Sequence, residues 1–198
     1  MRASTERLLV PGPAGDIECA VDRAEAPAQG AALIAHPHPL YGGTLDNKVV
    51  QTLARAFVEL GYDAWRPNFR GIGKSAGSYD EGRGEVDDLA AVHRQMASGK
   101  VILAGFSFGA AMQARLAQRV KFDKLVLVGV AVANFQTPVV PKGTLVIHGE
   151  QDETVPLQAV LDWARPQELP VVIAPGTDHF FNHKLHVLRA IVEDFFRD

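Results

Sequence analysis

The sequence predicts an α/β fold in which a mostly parallel central sheet is flanked by helices on both faces. Three observations lead there. Short apolar runs of strand length alternate with segments whose apolar residues recur at helical spacing. Two runs at the start of the chain are separated by Pro11-Gly12-Pro13-Ala14-Gly15, which reads as an antiparallel hairpin. Finally, Gly105-Phe106-Ser107-Phe108-Gly109 stands between the apolar run 101–104 and the helix-like run 110–116, so a serine occupies a strand-to-helix turn.

Taken in order, residues 7–10 and 16–21 give the hairpin strands around the turn at 11–15. The runs at 31–35, 62–65, 101–104, 125–128, 145–147 and 171–173 have the near-continuous apolar character of fully buried parallel strands. Between them, Val49, Val50, Leu53, Ala54, Phe57 and Leu60 keep helical spacing and stop at Gly61. Val86, Leu89, Ala90, His93 and Met96 do the same and stop at Gly99. Leu185, Leu188, Ile191, Val192, Phe195 and Phe196 make a last amphipathic helix. His93, His183 and His186 fall in these helices and read as surface or boundary histidines. Alternation of strand and helix implies right-handed crossovers and a ligand site at the carboxyl ends of the strands. Residues 131–143, with Pro138 and Pro141 among them, leave no room for a separate lid domain.

With 198 residues, 47 % of them apolar, the chain can bury one good core, and a single domain over 1–198 is expected. The formal charge of −3 comes from interspersed acids and bases with no basic run, which argues against nucleic-acid or anionic-membrane partners and for a small-molecule substrate. Cys19 is the only cysteine, so neither an internal disulfide nor a thiolate zinc cluster can form within one chain. Residues 1–10 hold an acid and only a three-residue apolar run before Pro11, unlike a signal peptide, and no segment approaches the ~20 apolar residues of a membrane span. A soluble, cytoplasmic protein is expected. Nothing in the sequence marks an oligomeric state.

The chemistry follows from the serine. Glycines two before and two after Ser107 let the turn pass close to its neighbours, lifting the hydroxyl above the sheet edge and turning the backbone N–H groups that start the next helix toward a reacting carbonyl. A serine hydroxyl is a weak nucleophile and needs a base, and the base needs an acid to orient it. His179 follows the run 171–173 and Asp152 follows the run 145–147, so both should stand at the same sheet edge as Ser107. Glu150 and Asp178 are competing acids. Asp178 is adjacent to His179 and cannot easily reach its far nitrogen, while Glu150 lies closer to the strand. His148, just inside its strand, reads as structural. His36-Pro37-His38 has the spacing of a zinc pair but no acid or third histidine nearby, so no metal is expected. Gly71-Ile72-Gly73-Lys74-Ser75 fails as a phosphate loop because Asn68 stands where the first glycine is required.

The elbow at 105–109, the acid segment His148-Gly149-Glu150-Gln151-Asp152-Glu153-Thr154-Val155-Pro156 and the base segment Gly176-Thr177-Asp178-His179-Phe180-Phe181 resemble the α/β-hydrolase family. Two further stretches, His36-Pro37-His38-Pro39-Leu40-Tyr41-Gly42-Gly43-Thr44-Leu45-Asp46-Asn47-Lys48 and Asn68-Phe69-Arg70-Gly71-Ile72-Gly73-Lys74-Ser75, are similar to small bacterial serine hydrolases without a cap domain, related to dienelactone hydrolases. The likeness runs from about Leu33 to Phe196. Serine stands where true dienelactone hydrolases carry cysteine. The resemblance implies an oxyanion hole made by the backbone N–H of Phe108 and a second N–H from the loop beginning at His36. Pro37 and Pro39 have none to give, which leaves Leu40 or His38, with Leu40 favoured by the glycines just beyond it.

These readings converge on a serine hydrolase acting on small carboxylic esters or thioesters without metal or organic cofactor, its open pocket lined by Tyr41, Phe106, Phe108 and Phe180. A binding protein that keeps the fold without turnover, or a peptidase or acyl-CoA thioesterase using the same triad, are the alternatives. Lys48 and Arg70 either form surface ion pairs or anchor the loops around the site.

Overall fold

A computed structural model describes residues 5–25, 27–96 and 99–197. Eight strands form one sheet in the order β1-β2-β4-β3-β5-β6-β7-β8. The opening hairpin, β1 (Thr5–Gly12) and β2 (Gly15–Asp22), leaves only Pro13 and Ala14 in the loop and continues antiparallel onto β4 (Tyr62–Pro67). The remainder is parallel: β3 (Gly30–Ala35), β5 (Lys100–Phe106), β6 (Lys124–Val128), β7 (Leu145–Gly149) and β8 (Val171–Ala174).

Alternation along these strands feeds two cores. Leu33, Leu103, Leu127 and Val146 face α2 (Arg83–Gln95), α3 (Phe108–Leu116) and α4 (Leu157–Ala164), whereas Ile34, Ile102, Val126 and Ile147 face α1 (Lys48–Glu59) and α5 (Leu185–Phe195). Every residue of β3 is buried, as its unbroken apolar run requires. The stretch from Gly129 to Thr144 between β6 and β7 contains no helix or strand, so no cap covers the sheet edge.

Two expectations need correction. Strand β8 is an edge strand with β7 on one side only, and Val172 and Ile173 are 37 % and 40 % exposed rather than fully buried. His183 lies in the loop before α5 with φ 60°, not in a helix. Helix α2 starts three residues before Val86, because the Glu85 carboxylate accepts from the N–H groups of Asp80 (2.9 Å) and Gly82 (2.8 Å) and closes the first turn. Part of the reading of the chain start falls on residues 1–4, which lie outside the described residues. Among the described residues, no helix is long and apolar enough to cross a membrane.

Candidate active site

Strand β5 stops at Phe106 and α3 begins at Phe108, leaving Ser107 at the turn with φ 57° and ψ −116°. That backbone conformation is costly for a residue with a Cβ, about 1–3 kcal/mol, and persists only where the surroundings enforce it. Here the Ser107 N–H donates to Val128 O (2.9 Å), and its carbonyl accepts from Ala111 N (3.2 Å) and Ala131 N (3.3 Å). The flanking glycines make the crossing possible. A Cβ on Gly105 would lie 2.5 Å from the Gly109 carbonyl carbon, and one on Gly109 would lie 2.3 Å from Ala35 O.

His179 follows β8 and Asp152 follows β7, and parallel register brings both loops to the edge where β5 ends. Ser107 Oγ is 3.1 Å from His179 Nε2, and His179 Nδ1 is 2.6 Å from Asp152 Oδ2. Because a carboxylate only accepts, Nδ1 carries the proton and the Nε2 lone pair is left for the serine hydroxyl. The other carboxylate oxygen of Asp152 accepts from the N–H groups of Thr154 (2.9 Å) and Val155 (2.7 Å). The competing acids are engaged elsewhere: Glu150 accepts from Gly176 N–H (2.6 Å) and Asp178 from Asn182 N–H (2.9 Å). The Phe106 ring lies 4.8 Å from the His179 ring, centroid to centroid, and is fully buried. It is therefore a support for the imidazole, not the open pocket wall expected of it.

On the opposite side, the loop after β3 turns through a short 3-10 segment, Pro39–Tyr41. Leu40 N–H donates to His38 Nδ1 (3.2 Å), while Tyr41 N–H and Gly43 N–H both donate to His38 O (3.1 Å each). With Nδ1 accepting, His38 presents Nε2–H to the Tyr79 hydroxyl at 3.2 Å. Burial holds the His38 imidazole below its usual pKa, consistent with this neutral tautomer. Phe108, also expected in the pocket, turns its buried ring into a cluster with His38, Phe69 and Phe135. Tyr41 is 86 % exposed, Leu40 64 % and Phe180 41 %, so these three form the solvent-facing rim.

Four residues near the site were not legible in the spacing. Tyr79 and Phe135 pack on His38 from irregular segments, where no periodicity marks which side chain turns inward. Asn182 accepts from Lys48 Nζ, tying the start of α1 to the loop carrying His179. Asp88 takes a two-pronged hydrogen bond from Arg70, 2.8 Å on each arm. Lys48 and Arg70 thus anchor loops. His36 uses both ring nitrogens internally, Nδ1 with Pro37 O (2.6 Å) and Nε2 accepting from Phe69 N–H (2.9 Å), which leaves neither for a metal.

A mostly parallel eight-stranded sheet, an elbow serine between β5 and α3 and no cap define an α/β serine hydrolase. Residues 23–175 match the X-Pro dipeptidyl-peptidase (S15) family, to which the chain belongs. An α/β serine hydrolase homologue from Coxiella burnetii is 40 % identical with TM-score 0.89, covering 96 % of each chain. An α/β serine hydrolase without lid from Xanthomonas campestris is 38 % identical with TM-score 0.91, over 100 % of this chain and 95 % of that one. An uncharacterized protein of Rickettsia prowazekii is 32 % identical over 93 % of this chain and 85 % of its own length.

Proposed function

We propose that the protein hydrolyses small carboxylic esters or thioesters through an acyl-enzyme on Ser107. The observation that carries the reading is the continuous relay from Ser107 Oγ through His179 to Asp152, at 3.1 and 2.6 Å. His179 Nε2 takes the hydroxyl proton as Ser107 Oγ attacks the carbonyl carbon, and Asp152 stabilises the imidazolium that results. The Phe108 N–H at the start of α3 faces the developing oxyanion. The Leu40 N–H is already given to the His38 ring, so the second donor is assigned to the His38 N–H. Collapse of the tetrahedral intermediate expels the alcohol or thiol, protonated by His179. Water then attacks the acyl-enzyme with His179 again as base, releasing the acid. The steps balance without a metal or organic cofactor. Tyr41 and Phe180 at the rim give the substrate apolar contact, and the uncapped edge favours short acyl groups.

Peptide cleavage is the second reading, favoured by the family match. An exopeptidase that counts residues from a free amino terminus needs a carboxylate to hold the ammonium. Asp152, Glu150 and Asp178 are all committed to loop hydrogen bonds, which favours the ester reading. The single, buried cysteine suits a reducing compartment, and we assign the cytoplasm. Steady-state kcat/KM on acetyl, butyryl and octanoyl esters beside X-Pro amides decides between the two. Turnover is expected on the short esters, and efficient amide cleavage with no ester cleavage refutes the assignment.

A further inference from the structure

His148 is the penultimate residue of β7, just before the loop that carries Asp152, and its side chain is completely buried. Its Nε2 is 2.9 Å from Val155 O and 3.5 Å from Asp152 Oδ2, the same oxygen that receives His179 Nδ1–H. A carbonyl only accepts, so Nε2 carries the proton. Its Nδ1 is buried with no hydrogen-bond partner, so a second proton there would have nothing to bind. Val155 is therefore gripped from both sides: its N–H is held by Asp152 Oδ1 at 2.7 Å and its C=O by His148.

We infer that His148 is a positioning residue for the reaction, fixing through Val155 the turn that aims Asp152 at His179. The inference rests on the hydrolase reading above. It gives work to a histidine that the sequence marks only as structural. The facing titratable groups are Asp152 and His179, and burial outweighs Asp152 in keeping His148 neutral. Loss of the donor frees the Val155 carbonyl and leaves Asp152 less precisely held, which lowers the rate.

The test is kcat and KM on a short-chain p-nitrophenyl ester, with thermal melting, for the wild type, His148→Phe and His148→Gln. His148→Phe keeps a ring without a donor and should lose about 10- to 100-fold in kcat with KM little changed. His148→Gln restores a donor of similar reach and should recover most of the rate. A wild-type kcat in folded His148→Phe overturns the inference, as does a drop in stability alone. A loss carried by KM instead of kcat, or one that glutamine does not relieve, also overturns it. Should His148→Phe not fold, 15N spectra of the wild type decide: a neutral Nε2–H tautomer from pH 6 to 8 is expected, and an Nδ1–H form refutes the role. A wild type with no turnover on any ester and no labelling at Ser107 would instead defeat the hydrolase reading itself.

Discussion

Ser107 holds φ 57° because the hydroxyl must clear the sheet edge, and glycine would take the same backbone without strain. Ser107→Gly should therefore abolish turnover while keeping or raising thermal stability, by about 1 kcal/mol at most after the added unfolded-chain entropy of glycine is counted. Ser107→Ala should lose several orders of magnitude in kcat/KM with no such gain in stability, and paired melting curves and kinetics check both. His36 makes a second residue-scale prediction. Burial pushes its pKa down to about 4 from the ordinary 6.5, and protonating Nε2 would break its acceptance from Phe69 N–H. Between those pH values the unfolded chain binds a proton that the native state does not, so stability is complete above pH 6.5 and falls as pH drops toward 4. The loss reaches about 3 kcal/mol. Urea titrations should show it in the wild type, and His36→Gln, though weaker at pH 7, should show a flatter dependence over the same window. Ser107, His179 and Asp152 were legible because each chemical type sits just after a strand-length run. His36 and Tyr79 were not, since their partners, Phe69 and His38, are distant in sequence and only the fold pairs them.

Elements place those residues, and their contacts set the tolerances. Helix α3 can start above β3 only because Gly109 lacks a Cβ. Gly109→Ala would put a methyl 2.3 Å from Ala35 O, displacing the start of α3 beside Ser107. Destabilisation of about 1–3 kcal/mol with a larger relative loss of activity is expected, read by denaturation and kcat/KM on one preparation. Arg70 ties the loop after β4 to α2, with only 11 % of its side chain and 4 % of that of Asp88 exposed. Arg70→Met strands the Asp88 carboxylate and should cost about 3 kcal/mol, whereas Arg70→Met with Asp88→Asn should recover part of that, measurable as a double-mutant cycle. Element existence was visible from periodicity in the sequence. Their ends were less so: the start of α2 depends on Glu85 reaching back to two backbone N–H groups, and β8 reads as apolar as the central strands although it has a neighbour on one side only.

Across the whole molecule, the parallel register of β5 to β8 brings three loops, distant in sequence, to one edge, and the stretch from Gly129 to Thr144 supplies no cap over them. Acyl-chain length should therefore gain little from added methylenes. Each buried CH₂ is worth about 0.8 kcal/mol only where protein surrounds it, and kcat/KM is expected to level off or fall beyond a butyryl group. The order Ser107, Asp152, His179 along the chain and the absence of room for a lid between β6 and β7 were readable from the sequence. The pocket lining was not: Phe106 and Phe108 look alike in the motif, yet the strand-to-helix turn at Ser107 sends them to opposite cores.

The central claim is that Ser107 is an activated nucleophile. The direct measurement is exposure of the folded protein to a fluorophosphonate, with the adduct located by mass spectrometry. Stoichiometric modification of Ser107, lost in His179→Ala, is the result expected. Folded protein that stays unmodified, or is modified at another residue with Ser107 untouched, would contradict the account and leave a binding protein on a hydrolase fold as the better description.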